Sequence, residues 1–222
     1  MTHHGTIHSR HAANGLQKSG PQRPAPSQTE AGAGPAFAWL LIVTGALGAL
    51  ASFVITIDKL QLLQDPTFSP SCNLSPVLSC TSVMSSDQAA LFGFPNPLLG
   101  LLLYPAVITI GCALLAGARL RRWFWLGLNL VTLLGVGFCM WLMAQALYEI
   151  GTLCLWCCLT WAVTIAQFWY VTARNLAQGV LTAPRAVVAW TREFRWVVPV
   201  TWYLTIVMLI ATRFWSYWRT LI

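Results

Sequence analysis

The sequence predicts an all-α integral membrane protein, a four-helix transmembrane bundle with a fifth transmembrane helix beside it. Three observations carry this. Of the 222 residues, 57% are hydrophobic and only 9% are charged, against roughly 25% charged in a soluble domain. Mean hydropathy is +0.64. Apolar runs of about 20 residues, the length that crosses the hydrocarbon of a bilayer, recur along the chain. None of them shows the alternation of a membrane β-strand, so the lipid is crossed by helices that satisfy their own backbone polar groups.

Taken in order, residues 1–34 form a tail rich in Gly, Pro, Ser, Ala and His without apolar periodicity, and are expected to be disordered. His3, His4, His8 and His11 lie in it and are read as solvated residues of a low-complexity segment. The first span covers about Phe37 to Ile57 and is closed by Asp58 and Lys59. A polar stretch to Asn96 follows, broken by Pro66, Pro70, Pro76 and Pro95, with Thr81 to Leu91 expected as a short amphipathic helix on the membrane surface. The second span is about Pro97 to Gly117, with Pro97 suited to a first helical position. The third is about Phe124 to Leu147. The short link Tyr148–Thr152 makes it an antiparallel hairpin with the fourth, about Leu153 to Ala173, which Arg174 closes. Residues 175–196 are an amphipathic connector, and the fifth span opens at Val197 and runs to about Trp215. The domain plan is therefore a tail at 1–34, a four-helix unit at 35–174 with a loop at 58–96, a connector at 175–196 and a fifth helix with a short end at 197–222.

Net charge is +7, but the basic residues fall between apolar runs, where they set topology, and no basic face with interleaved aromatics points to nucleic acid. With the N-terminus cytoplasmic, Arg10, Lys18, Arg23, Arg119, Arg121, Arg122, Arg174, Arg185, Arg192 and Arg195 are inside. Only Lys59, Arg213 and Arg219 are outside, and Asp58, Asp65, Asp87 and Glu149 are outside too. The protein is then a multi-pass protein of the plasma membrane. Its loop at 58–96 and the start of the fourth span both face the extracytoplasmic side.

Four of the seven cysteines share that side: Cys72 and Cys80 in the loop, Cys154 and Cys157 at the mouth of the fourth span. Disulfides form and persist there. Cys154-Leu155-Trp156-Cys157 is a C-x-x-C, which closes too small a loop to be a good staple and is a common spacing for catalytic dithiols. A helix N-terminus favours its thiolate, and Cys72 and Cys80 form a second pair able to exchange with it. Electrons leaving such a pair need an acceptor. No G-x-G-x-x-G opens a helix and no His lies in a span, which leaves a lipid-soluble quinone. Cys158 points about 100° around the helix from Cys157, and Cys112 and Cys139, inside spans two and three and away from that mouth, are read as small buried hydrophobes; none of the three has a partner at redox spacing. A scaffold or transporter with structural disulfides is the non-enzymatic alternative.

The chain resembles the vitamin K epoxide reductase family from about Trp39 to Arg174. The resemblance rests on Cys72-Asn-Leu-Ser-Pro-Val-Leu-Ser-Cys80, then Ser85-Ser86, then Phe94-Pro-Asn96-Pro-Leu-Leu-Gly100, then Cys154-Leu-Trp-Cys157, in that order across four spans. It implies a four-helix bundle around a quinone site and an oxidoreductase with a dithiol donor. Cys157 would face the quinone, Cys154 would resolve it, Cys80 would exchange with Cys154, and Cys72 would meet the partner. That partner would be an extracytoplasmic thioredoxin-fold (DsbA-like) protein, and the absence of a thioredoxin-like domain after span five resembles stand-alone bacterial members. Ser86 and Asn96 fall at quinone-binding positions, the latter also suited to cap the helix that Pro97 begins. Trp161 stands where animal members carry Tyr, which withdraws support from epoxide reduction and leaves quinone reduction untouched. The quinone, menaquinone or ubiquinone, is substrate, and no metal is implied. A DsbB-type disulfide generator is the nearest rival, but here the loop pair precedes the C-x-x-C, which opens the fourth span.

Overall fold

The computed structural model describes residue 1, residues 30–31 and residues 34–219; the tail read at 1–34 lies almost entirely outside the described residues. The backbone of β1 (Glu30–Ala31) pairs antiparallel with β2 (Leu120–Arg121). Between them come α1 (Pro35–Gln64), the single turn α2 (Cys80–Met84), a 3-10 turn (Asp87–Ala90) and α3 (Pro97–Leu115). After β2 come α4 (Arg122–Ala144), which continues into a π-helical turn (Gln145–Ile150), and α5 (Leu155–Ala177). Helices α6 (Arg185–Glu193), α7 (Val197–Arg213) and α8 (Trp215–Trp218) complete the described chain.

Among the described residues, four helices are long and apolar enough to cross a membrane. The α6–α7 pair, bent by 67°, makes a fifth span if counted as one. The burial pattern of α1 suits lipid. Many of its exposed positions are large and apolar (Trp39, Val43, Leu47, Leu50, Phe53, Ile57), while Ala38, Gly45, Gly48 and Ser52 are among those buried in the bundle. Small residues let backbones approach where no hydrophobic gain separates helix from lipid. Helix α3 packs along α1, and α4 along α5, with α1 and α5 in contact at the centre. A Cβ on Gly111 of α3 would come within 2.9 Å of the Ala38 carbonyl oxygen, and one on Gly45 within 3.2 Å of that of Tyr104. The seam therefore admits only hydrogen at these points.

Several boundaries differ from the expected ones. Helix α1 runs seven residues past Ile57, because Leu60, Gln61, Leu62, Leu63 and Gln64 are all good helix formers. It stops at Asp65, extended at φ −133° and ψ 103°, since the residue before Pro66 is disfavoured in the helical region. At 30 residues the helix is about 45 Å long against a hydrocarbon core of about 30 Å, so it projects into the loop. The surface helix expected at Thr81–Leu91 is instead α2 and the 3-10 turn, separated at Ser85–Ser86. Arg174 does not close α5, which continues to Ala177; its guanidinium is buried over the Trp125 ring, 3.2 Å from the centroid, and donates to Asn175 Oδ1. Cys112 is exposed on α3 rather than buried.

Candidate functional site

The loop between α1 and α3 folds back over the start of α5. Leu78 and Leu153 form a short parallel bridge, in which Leu153 N–H donates to the Val77 carbonyl (2.8 Å) and Ser79 N–H to the Leu153 carbonyl (2.9 Å). Cys80 and Cys154 each follow a bridge residue directly or at one remove, so the register sets the two sulfurs side by side. Ser79 then caps α2, its side chain accepting from Ser82 N–H. Lys59 Nζ donates to the Met84 carbonyl at 2.7 Å, tying the end of α2 to the projecting part of α1.

Cys72 and Cys80 are joined as a disulfide with a Cα–Cα distance of 5.8 Å. Cys154 Sγ lies 3.2 Å from Cys80 Sγ, while Cys154 and Cys157 are free thiols. Cys154 is the N-cap of α5 with extended backbone (φ −106°, ψ 124°), and Cys157 lies in the first turn. A hydrogen bond from the Cys157 thiol, above all, lowers the Cys154 thiol below its ordinary value. Burial opposes this, the backbone N–H groups of Cys157 and Trp156 reinforce it, and the Asp58 carboxylate opposes it. The arrangement holds a thiol biased toward thiolate against a disulfide sulfur, the geometry of thiol–disulfide exchange. All of it is shielded from solvent, with Cys72 4%, Cys80 0% and Cys154 1% exposed. The two pairs stand next to each other, and Cys72 is shielded from an outside thiol in this conformation.

Behind the cysteines lies a cavity of about 610 Å³, bounded by α3 on one side and α4 on the other. Cys154, Cys157, Ser86, Asn96 and Trp161, five of the seven positions singled out from sequence, line it; the other two, Cys80 and Cys72, adjoin it as the disulfide whose Cys80 Sγ lies beside Cys154. Apolar walls with a few polar groups suit a ring-shaped apolar ligand. Ser86 Oγ donates to the Val83 carbonyl (2.7 Å). Asn96 does not cap α3 with its side chain; its Nδ2 donates to the Gln88 carbonyl (2.7 Å) and its Oδ1 accepts from Leu91 N–H (3.1 Å). This pins the 3-10 turn to the head of α3 and leaves the second amide hydrogen unused by those bonds. Trp161 is buried against Cys139, Met143 and Leu153.

Sequence reasoning missed several lining residues. Tyr104 projects from α3 and shares a hydrogen bond with Thr164 Oγ1 (2.8 Å), and Gln88 Nε2 donates to Gln145 Oε1 (3.3 Å) across the cavity mouth. Gln167, also on the lining, donates to Thr44 Oγ1 (3.1 Å). Gln145 and Gln167 are polar residues within apolar segments, a signal of interior function that was legible. Cys139, read as a small buried hydrophobe, lines the cavity as well. Among the described residues no group of three or more His, Cys, Asp or Glu is placed to hold a metal ion.

A helical membrane bundle with two adjoining cysteine pairs over an apolar cavity defines a membrane dithiol oxidoreductase. Residues 39–172 match the family model described as the vitamin K epoxide reductase family, and the chain belongs to that family. It is an oxidoreductase that acts on quinone or epoxide with dithiol donors. A comparison with curated proteins finds no match.

Proposed function

We propose that the protein reoxidises an extracytoplasmic thioredoxin-fold protein and delivers the electrons to a membrane quinone, so supporting disulfide formation in exported proteins. The observation that carries this reading is the 3.2 Å separation of Cys80 and Cys154 at the mouth of the cavity.

The partner's dithiol attacks the Cys72–Cys80 disulfide at Cys72, leaves as a disulfide, and delivers two electrons to the loop pair. Cys80 thiolate attacks Cys154 of an oxidised Cys154–Cys157 pair, the Cys154–Cys157 bond breaks, and Cys157 departs as a thiolate. Cys72 then displaces Cys154 from Cys80, restoring the loop disulfide and leaving the C-x-x-C reduced. Reduction of one quinone to quinol takes two electrons and two protons from that dithiol, and the Cys154–Cys157 disulfide re-forms. Asn96 has an amide hydrogen to offer a quinone oxygen as negative charge develops. Ser86 shapes the same wall and Trp161 packs on the ring. With the N-terminus cytoplasmic, the relay faces the extracytoplasmic side, which is the side where the basic residues are few.

The test is turnover by the full chain in liposomes, with a reduced thioredoxin-fold protein as donor and quinone loss followed by absorbance. Cys157→Ala abolishes turnover with every donor. Cys72→Ala abolishes turnover with the protein donor and spares part of it with dithiothreitol. No quinone loss in the parent chain, or full activity of Cys157→Ala, would overturn the reading.

A further inference from the structure

Helix α7 lies outside the stretch matched to the family, at residues 39–172, yet its end reaches the back of the sulfur relay. Arg213, in its last turn, donates from Nε to the Leu147 carbonyl at 2.8 Å. Leu147 sits in the π-helical turn that ends α4, and the last carbonyls of a helix lack intrahelical donors. A cation there also meets the negative end of the helix dipole. The turn closes at Gly151, whose φ of +72° belongs to glycine, and the chain passes at once into Leu153 and Cys154. Phe214, the next residue after Arg213, is 6% exposed and is buried in one cluster with Val77, Leu147, Leu153 and Trp161. Ile210 and Trp218 pack against the same cluster. One arm of α7 thus holds the turn before the bridge, and the adjoining ring supports the bridge itself.

We propose that α7 positions the Cys80–Cys154 exchange, with Arg213 and Phe214 as positioning residues that fix the Leu78–Leu153 register. This rests on the relay reading above. The step it governs is an internal exchange: a Cys80–Cys154 bond forms, the Cys154–Cys157 bond breaks, Cys157 gains the thiolate that Cys80 loses, and no external oxidant enters.

The experiment uses the full chain carrying Cys72→Ser. Once oxidised, Cys154 chooses between Cys80 and Cys157, and mass spectrometry reads the ratio of the two disulfides on membrane-inserted protein. Arg213→Ala and Phe214→Ala are each expected to lower the Cys80–Cys154 share relative to Cys154–Cys157 by about fivefold, equivalent to about 1 kcal/mol. Arg213→Lys, which keeps a cationic donor, is expected to stay within about twofold of the parent at that scale. Tyr203→Phe removes the α7 anchor on the Ala162 carbonyl (2.7 Å), away from the bridge, and is expected to leave the ratio unchanged. Ratios unmoved by Arg213→Ala and Phe214→Ala, or moved equally by Tyr203→Phe, would overturn the inference. A Cys72→Ser chain that never forms Cys80–Cys154 would instead overturn the relay on which it rests.

Discussion

Gly48 is the position where a single methyl group should be felt at the cavity. A Cβ built there falls 2.5 Å from Cε1 of Tyr104 and 2.6 Å from its Cδ1 and Cζ. Carbon atoms in good contact stand about 3.5–4.0 Å apart, so the ring must retreat by about 1 Å. Tyr104 is buried, bonded to Thr164 Oγ1 at 2.8 Å, and part of the cavity lining. A ring pushed from α1 therefore strains the Thr164 bond and alters the cavity wall. Overpacking of this kind costs about 1–3 kcal/mol, and loss of the hydroxyl bond adds about 1 kcal/mol. Gly48→Ala is expected to lower unfolding free energy in mixed micelles by about 2–4 kcal/mol, the sum of those effects, and to raise the quinone KM. Tyr104→Val in the same chain is expected to relieve the clash and recover part of the stability, the lost ring packing and the lost Thr164 bond remaining as costs. Tyr104→Phe is not, because the clash is with ring carbons. A Gly48→Ala chain with parental stability and KM would refute the reasoning.

Two further outcomes follow from the site. Asn96→Ala removes both side-chain bonds that tie the Gln88–Leu91 turn to α3 and keeps the backbone bond from Asn96 N–H to the Ala89 carbonyl (2.9 Å); at about 0.5–1.5 kcal/mol for each bond lost, the quinone KM should rise by about tenfold, and an unchanged KM would show that the turn holds without them. The Asp58 carboxylate opposes the thiolate of Cys154, so Asp58→Asn removes a negative charge and lowers the Cys154 pKa further. The pH profile of attack by the free Cys154 thiolate on the Cys72–Cys80 disulfide, the reverse of the relay step, should then shift toward lower pH, and a shift toward higher pH would contradict that electrostatic assignment.

How much of this was legible in the sequence depended on whether the signal was local. The spans, the Pro97 start of α3 and the C-x-x-C at the head of α5 are written in runs and spacings of a few residues. The family pattern added Ser86, Asn96 and Trp161, and all three line one cavity. What escaped was pairing between distant segments. The Leu78–Leu153 bridge joins two apolar residues that no local rule links. Arg213 reads as an interfacial charge until its partner, the Leu147 carbonyl 66 residues away, is seen. The α1–α3 seam was partly readable, since Gly45, Gly48 and Ser52 recur at helical spacing, but its consequence for Tyr104 needed the partner helix. The charged pair Asp58–Lys59 closes the apolar run without ending the helix, which continues to Gln64 and stops before Pro66.

The relay itself is tested most directly by disulfide mapping on acid-quenched turnover. The full chain in liposomes is mixed with a reduced thioredoxin-fold protein and quinone, quenched at successive times, and its cysteine linkages are read by mass spectrometry. A Cys80–Cys154 linkage should appear before quinol accumulates and decline as the Cys72–Cys80 disulfide returns. Quinol accumulating while only Cys72–Cys80 and Cys154–Cys157 linkages are ever found would contradict the transfer of electrons between the two pairs.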